Sequence, residues 1–243
     1  MGDERSGCLL GCGAQLINTK AQQQQQQQIK QTQELAFSTF CGVGQHMEAS
    51  VSEGVHSSQL LSRADWGARA PKQVDYFTGP APYVIIHHSY IPAACFNTPD
   101  CMRSMRDMQN FHQVDRGWND IGYSFGIGGD GMIYTGRGFN VVGAHSPKYN
   151  DKSVGIVFIG DWRTELPPAN MLQAAKDLIA FGVAQGYIDA AYKLLGHRQV
   201  RETECPGGRL FKEISSWPHF TNITTPPIAL PALPSQHDLA KKV

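Results

Sequence analysis

Apolar positions along the chain gather into short runs, three to six residues long, separated by polar or glycine-rich stretches. Tyr83–Ile86, Tyr123–Ile127, Met132–Tyr134 and Val154–Ile159 are short, mainly apolar or β-branched runs, as expected of buried strands. Gly129-Asp130-Gly131 separates two of them as a hairpin turn. A further run, Tyr192–Gly196, ends at His197 as Tyr83–Ile86 ends at His87, so each imidazole is expected where a buried strand reaches the surface. Between the runs the period changes to that of helices. Thr98 is expected to cap a helix with Pro99 at its first position, and Met102, Met105, Met108 and His112 then share a face until Arg116-Gly117. A second helix is expected after Pro167-Pro168, burying Met171, Leu172, Ala175, Leu178, Ile179 and Val183 and stopping at Gly186. A short third one is expected over 209–215. Strands mixed with helices in this order predict an α/β fold, a single domain with a central mixed β-sheet flanked by helices.

The two ends lack such periods. Residues 1–57 contain the glutamine run Gln22–Gln28, bury too little apolar surface to offset ordering, and are expected to be a disordered extension. Residues 223–243 are broken by Pro226, Pro227, Pro231 and Pro234 and are expected to be a disordered tail, which leaves 58–222 as the folded domain. A chain of 243 residues, 41% hydrophobic, supports one sizeable core. Lys and Arg number 21, as do Asp and Glu, a balance that argues against nucleic acid or an anionic membrane as partner. No apolar stretch approaches the roughly 20 residues of a membrane span, and a monomer is expected. The start, Met1-Gly2-Asp3-Glu4-Arg5, does not read as a secretory signal. Met1-Gly2 with Ser6 fits the myristoylation pattern only loosely, and Cys8 and Cys12 are conceivable palmitoylation sites.

Chemistry concentrates in a few side chains. The six cysteines fall into Cys8, Cys12 and Cys41, the pair Cys95 and Cys101, and Cys205. On spacing, the pair is either a short disulfide or two unpaired core thiols. His87, His197 and Cys205 form a candidate zinc site of the catalytic kind, since two imidazoles and a thiolate suit zinc and three protein ligands leave a fourth position for water. The short ligand pairs of a zinc finger are missing, so spacing alone leaves structural roles for these residues equally open.

Several segments carry a family likeness. Ser62–Arg69 (SRADWGAR), Val84–Ser89 (VIIHHS), Gly117–Phe125 (GWNDIGYSF), Gly196-His197-Arg198 and Thr203–Gly207 (TECPG) together resemble the peptidoglycan recognition proteins, and Asp161–Pro168 (DWRTELPP) is most similar to the insect LB type. The likeness spans about Gln59 to Pro218. It implies the type 2 amidase fold, a Zn2+ ion held by His87, His197 and Cys205, active-site positions at Tyr123 and Thr203, and a disulfide between Cys95 and Cys101. It also implies a substrate, the lactyl–L-Ala amide of peptidoglycan, with bacterial muropeptides as partners. Gly117, Trp118 and Arg137 correspond to the set that favours diaminopimelate. A guanidinium can grip that residue's extra carboxylate through two parallel hydrogen bonds. His112 and His145 are expected either to contact ligand or to pack beneath it, and His88 to lie on the opposite face of its strand from His87. Members of this family are either zinc hydrolases, expected here to scavenge muropeptides and so damp innate immune signalling, or receptors without the metal. The expected disulfide favours secretion and the amino-terminal sequence an intracellular form, so the compartment stays open.

Overall fold

The structure, a computed structural model, describes residues 59–223. The glutamine run, the Met1-Gly2 pattern, Cys8, Cys12, Cys41 and the proline-rich tail lie outside the described residues. Six strands, β1 (Leu60–Leu61), β2 (Ala81–His88), β3 (Phe125–Ile127), β4 (Ile133–Thr135), β5 (Ser153–Phe158) and β6 (Ile188–Gly196), are joined by helices α1 (Thr98–Asn110), α2 (Ala169–Ala184) and α3 (Gly208–Ile214). The sheet has the order β1-β4-β3-β5-β2-β6. Only β3 and β4 run antiparallel, as a hairpin through the glycine turn, and every other pairing is parallel. Parallel strands need crossover connections, and helices supply most of these.

Alternation along the strands divides the core into two layers. Val84, Ile86, Ile156 and Phe158 pack with Met171, Ala175 and Leu178 of α2 and with Leu210 and Ile214 of α3. Val157, one residue out of phase, packs with Cys101, Met105 and Met108 of α1 and with Trp66. The central strands are therefore buried on both faces, which is why they read as continuous apolar runs.

Helix α1 is capped by Asn97, whose side chain accepts from the N–H of Asp100, rather than by Thr98. The pattern Asn97-x-x-Asp100 puts the better capping geometry one residue earlier. Beyond Asn110 the helix widens into a π-helical turn, Phe111–Asp115, closed by the Arg116 N–H on the Phe111 carbonyl at 3.0 Å. This keeps His112 and Gln113 buried while Phe111 and Val114 face solvent. Helix α2 ends as expected, with Gly186 at φ +71°. Strand β3 begins at Phe125, so Tyr123 stands just ahead of it, and β6 begins at Ile188, earlier than its apolar stretch.

Cys95 and Cys101 form a disulfide that ties the segment after β2 to the first turn of α1. Replacing both by serine should lower the unfolding free energy by about 2 kcal/mol, from the chain-entropy estimate for so short a loop. Urea denaturation of the two proteins with unchanged slope checks this, and equal midpoints would show that the bridge contributes nothing to stability.

Candidate metal centre

Strand register builds the centre. In the parallel pairing of β2 with β6, Ile86 lies opposite Gly196, so the next residues, His87 and His197, emerge side by side at the carboxyl ends of the two strands. Their rings are 4.4 Å apart. Ligands bind most often at this end of an open parallel sheet. Cys205 arrives from the loop between a short 3-10 turn, His197–Gln199, and α3. That loop is pinned: the Arg198 N–H donates to the Cys205 carbonyl at 2.8 Å, and the Arg198 guanidinium donates to the Glu204 carbonyl. His87, His197 and Cys205 offer ligand atoms all within 4.8 Å of one another, the one such group of three among the described residues.

The donor set fits zinc. His87 Nε2 is taken by His145, which leaves Nδ1 to face Cys205 Sγ at 3.7 Å. Tetrahedral zinc with bonds of about 2.0–2.1 Å to nitrogen and about 2.3 Å to sulfur puts such donors about 3.6 Å apart. His197 Nε2 is buried with no protein partner. Burial above all, then the neighbouring imidazoles, depresses the pKa of His87 well below 6.5, and burial likewise brings His197 to about 4. Both imidazoles are therefore neutral, the ligating form. Burial pushes the Cys205 thiol up to about 12 against the His88 N–H and Arg198, so the protein alone does not hold a thiolate there; a cation is needed to do so. His88 points to the other face and accepts the Trp162 N–H at Nδ1, 3.3 Å away, so it is not a ligand.

Further side chains surround the cluster. Tyr123 lies with its ring 5.3 Å from that of His87 and 5.8 Å from that of His112. Burial, and then Cys205, raises its phenol above the usual 10, so it stays protonated and acts as a donor. Thr203 Oγ1 accepts the Cys205 N–H at 3.2 Å, which leaves the hydroxyl hydrogen free to point elsewhere. His112 stacks on Trp118 at 4.7 Å, and its Nδ1 accepts the Gly122 N–H at 3.1 Å. Trp118 is set by its own N–H on the His112 carbonyl, after a turn at Gly117 whose φ of +70° favours glycine and whose side-chain position opens on empty space.

Arg137 donates to the carbonyl oxygens of Ile121 and Val142, each at 2.7 Å, and of Asp120 at 3.4 Å. Three of its five N–H groups are thus committed and its plane is fixed. Burial lowers its pKa, and Asp120 opposes this. The Asp120 carboxylate is itself buried, held by Arg63 at 2.9 Å, Gln109 at 2.7 Å and the Ile121 N–H at 2.8 Å. Asp120 was not singled out from the sequence; its being the one charged residue of the motif Gly117–Phe125 was the available signal. His145 sits beneath the cluster, 7% exposed.

Three candidate metal ligands gathered at the carboxyl ends of parallel strands are compatible with an amidase domain, and comparison with known proteins identifies the family. Residues 77–208 match the N-acetylmuramoyl-L-alanine amidase family. The chain is 76% identical over 190 residues to peptidoglycan-recognition protein LB of Drosophila melanogaster, spanning 78% of this chain and 82% of that one. The solved structure of wild-type Drosophila PGRP-LB superposes with a TM-score of 0.68 at 82% identity, covering 69% of this chain and 98% of that one. Peptidoglycan recognition protein-LE, solved in complex with tracheal cytotoxin, a monomeric diaminopimelic acid-type peptidoglycan, matches at 44% identity and a TM-score of 0.67 over 68% of this chain and 98% of that one. The chain belongs to the peptidoglycan recognition proteins. Among the described residues, no helix is long and apolar enough to cross a membrane.

Acid should loosen the metal-free protein in a definite window. Burial first, then Arg116 and Arg137, lowers the pKa of His112 from 6.5 to about 4. A depressed folded pKa means that the unfolded chain takes up the proton first, so this stability is complete above about pH 6.5 and is lost as pH falls toward 4. Urea midpoints should fall across that interval, and His112→Gln should flatten part of the slope; an identical slope in the variant would remove His112 from the account.

Proposed function

We propose that this chain is a zinc-dependent N-acetylmuramoyl-L-alanine amidase acting on diaminopimelate-type peptidoglycan. The observation that carries the reading is the set His87, His197 and Cys205, spaced for tetrahedral zinc, beside the protonated phenol of Tyr123; three protein ligands leave a fourth position for water. The scissile bond is the amide between the lactyl group of N-acetylmuramic acid and the L-alanine of the stem peptide. When bound, zinc supplies a Lewis acid and a water acidified toward a pKa of about 7.

The chain's own groups do the rest. Tyr123 donates a hydrogen bond to the oxygen that gains charge as the carbonyl is attacked, and its raised pKa keeps that hydrogen in place. Thr203 orients water or the substrate carbonyl through its free hydroxyl hydrogen; it is not an acid at neutral pH. Arg137 has two N–H groups left beyond its three backbone bonds, the number needed for a parallel pair on one carboxylate. Gly117 leaves space beside that carboxylate, and Trp118 with His112 forms the flat wall against which the stem peptide lies. The binding of tracheal cytotoxin by the LE relative supports this ligand class. Destruction of the muropeptide would scavenge an immune elicitor, which gives the enzyme a damping role in innate immunity.

Zinc-loaded protein incubated with a diaminopimelate muropeptide should release free stem peptide, detected by mass spectrometry. Intact muropeptide after prolonged incubation would leave a receptor instead. Cys205→Ser should abolish release and weaken zinc binding while ligand binding persists. Arg137→Ala should reduce kcat/KM on diaminopimelate substrate by about 10- to 100-fold, the equivalent of about 1.5–3 kcal/mol for hydrogen bonds to a charged group. Substrates with lysine in its place should lose less, and equal losses would show that Arg137 does not select.

A further inference from the structure

His145 makes no use of either ring nitrogen toward solvent. Its Nδ1 lies 3.0 Å from His87 Nε2, with the rings edge to face at 4.9 Å. Its Nε2 faces Ser153 Oγ at 3.5 Å, and that hydroxyl donates to the Tyr149 carbonyl at 2.6 Å. The seat is specific. A Cβ at Gly143 or at Gly155 would fall 2.5 Å from His145 Cδ2, so both positions must lack a side chain for the ring to enter. Asn150 Oδ1 fixes the backbone beneath it by accepting the N–H groups of His145 and Ser146 at 2.9 and 2.8 Å.

The polarity of this row follows from its far end. A carbonyl only accepts, so the single hydrogen of Ser153 is committed to Tyr149, and its Oγ presents a lone pair to His145. His145 Nε2 must then carry the ring hydrogen, and the lone pair of the neutral ring sits on Nδ1. That lone pair accepts the hydrogen of His87 Nε2, which puts the lone pair of His87 on Nδ1, the atom facing Cys205 Sγ. We propose that His145 is a positioning residue which, with Ser153 and the Tyr149 carbonyl, locks His87 into the tautomer and ring orientation that bind the metal, rather than a contact for substrate. Ligand histidines usually lean on a carboxylate, carbonyl or water; here an imidazole takes that place. The inference rests on the reading of the cluster as a zinc site.

The full chain loaded with zinc gives a direct test by two-bond hydrogen–nitrogen correlation of its imidazoles. His87 should be protonated on Nε2 and His145 on Nε2; a proton on Nδ1 of either ring overturns the proposal. His145→Leu should lower zinc affinity, measured by competition with a chromophoric chelator, by about 10- to 100-fold. His145→Asn, whose Oδ1 can stand where Nδ1 stood, should recover most of it, and both variants in metal-free form should bind muropeptide as the unaltered protein does. Equal zinc losses in the two variants, or lost muropeptide binding with zinc affinity intact, overturn the positioning role and leave the amidase reading standing. Failure of the unaltered chain to bind zinc overturns both.

Discussion

One register governs the centre: Ile86 opposite Gly196 in the parallel pairing of β2 with β6. A slip by one residue would turn His87 to the face now held by His88 and separate it from His197, because side chains alternate along a strand. The register is secured from both sides. Val84, Ile86 and Leu194 are committed to one core layer, and His87 with Ile85 is enclosed on the other, so no shifted pairing buries the same surface. Two dispersed histidines thus become neighbours through the packing of apolar residues that have no part in chemistry.

Enclosure also sets the electrostatics. Each imidazole of the centre is neutral and the thiol is held protonated, so the cluster by itself carries no charge. A divalent ion entering it finds ligands that need only one proton removed, in surroundings where water screens little. Nearby, charge is managed differently. Asp120 is buried among Arg63, Gln109 and a backbone N–H, and this fully bonded carboxylate stands behind Arg137. One buried group set is uncharged, the other charged and fully paired.

Much of this was legible in the chain. The strands announced themselves because they are buried on both faces and bounded by glycine or polar turns, and alternation alone separated His87 from His88. The two-residue β1 was too short to leave any period. Thr98 was read as the cap because it precedes proline, but the side chain that reaches the free N–H belongs to Asn97. The roles of Ser153, Asn150 and Asp120 were not legible. Each is a short polar residue whose meaning comes from a partner fixed by the fold, and His145 meets His87 across 58 positions of sequence. Tyr123 and Thr203 were visible only through family likeness, since nothing local distinguishes them from other tyrosines and threonines.

The three backbone bonds of Arg137 join the Asp120-Ile121 segment to Val142, so the side chain offered for ligand choice is also a clasp between two stretches of chain. On the proposed reading, recognition and integrity would be drawn from one guanidinium. A lysine at this position would keep the charge yet lack the planar fork that reaches several carbonyls at once. If Arg137 reads a carboxylate as proposed, that face cannot be retuned there independently of its architecture, and a shift in ligand preference would have to come from residues that do not brace the loop, such as Trp118 and its neighbour Gly117.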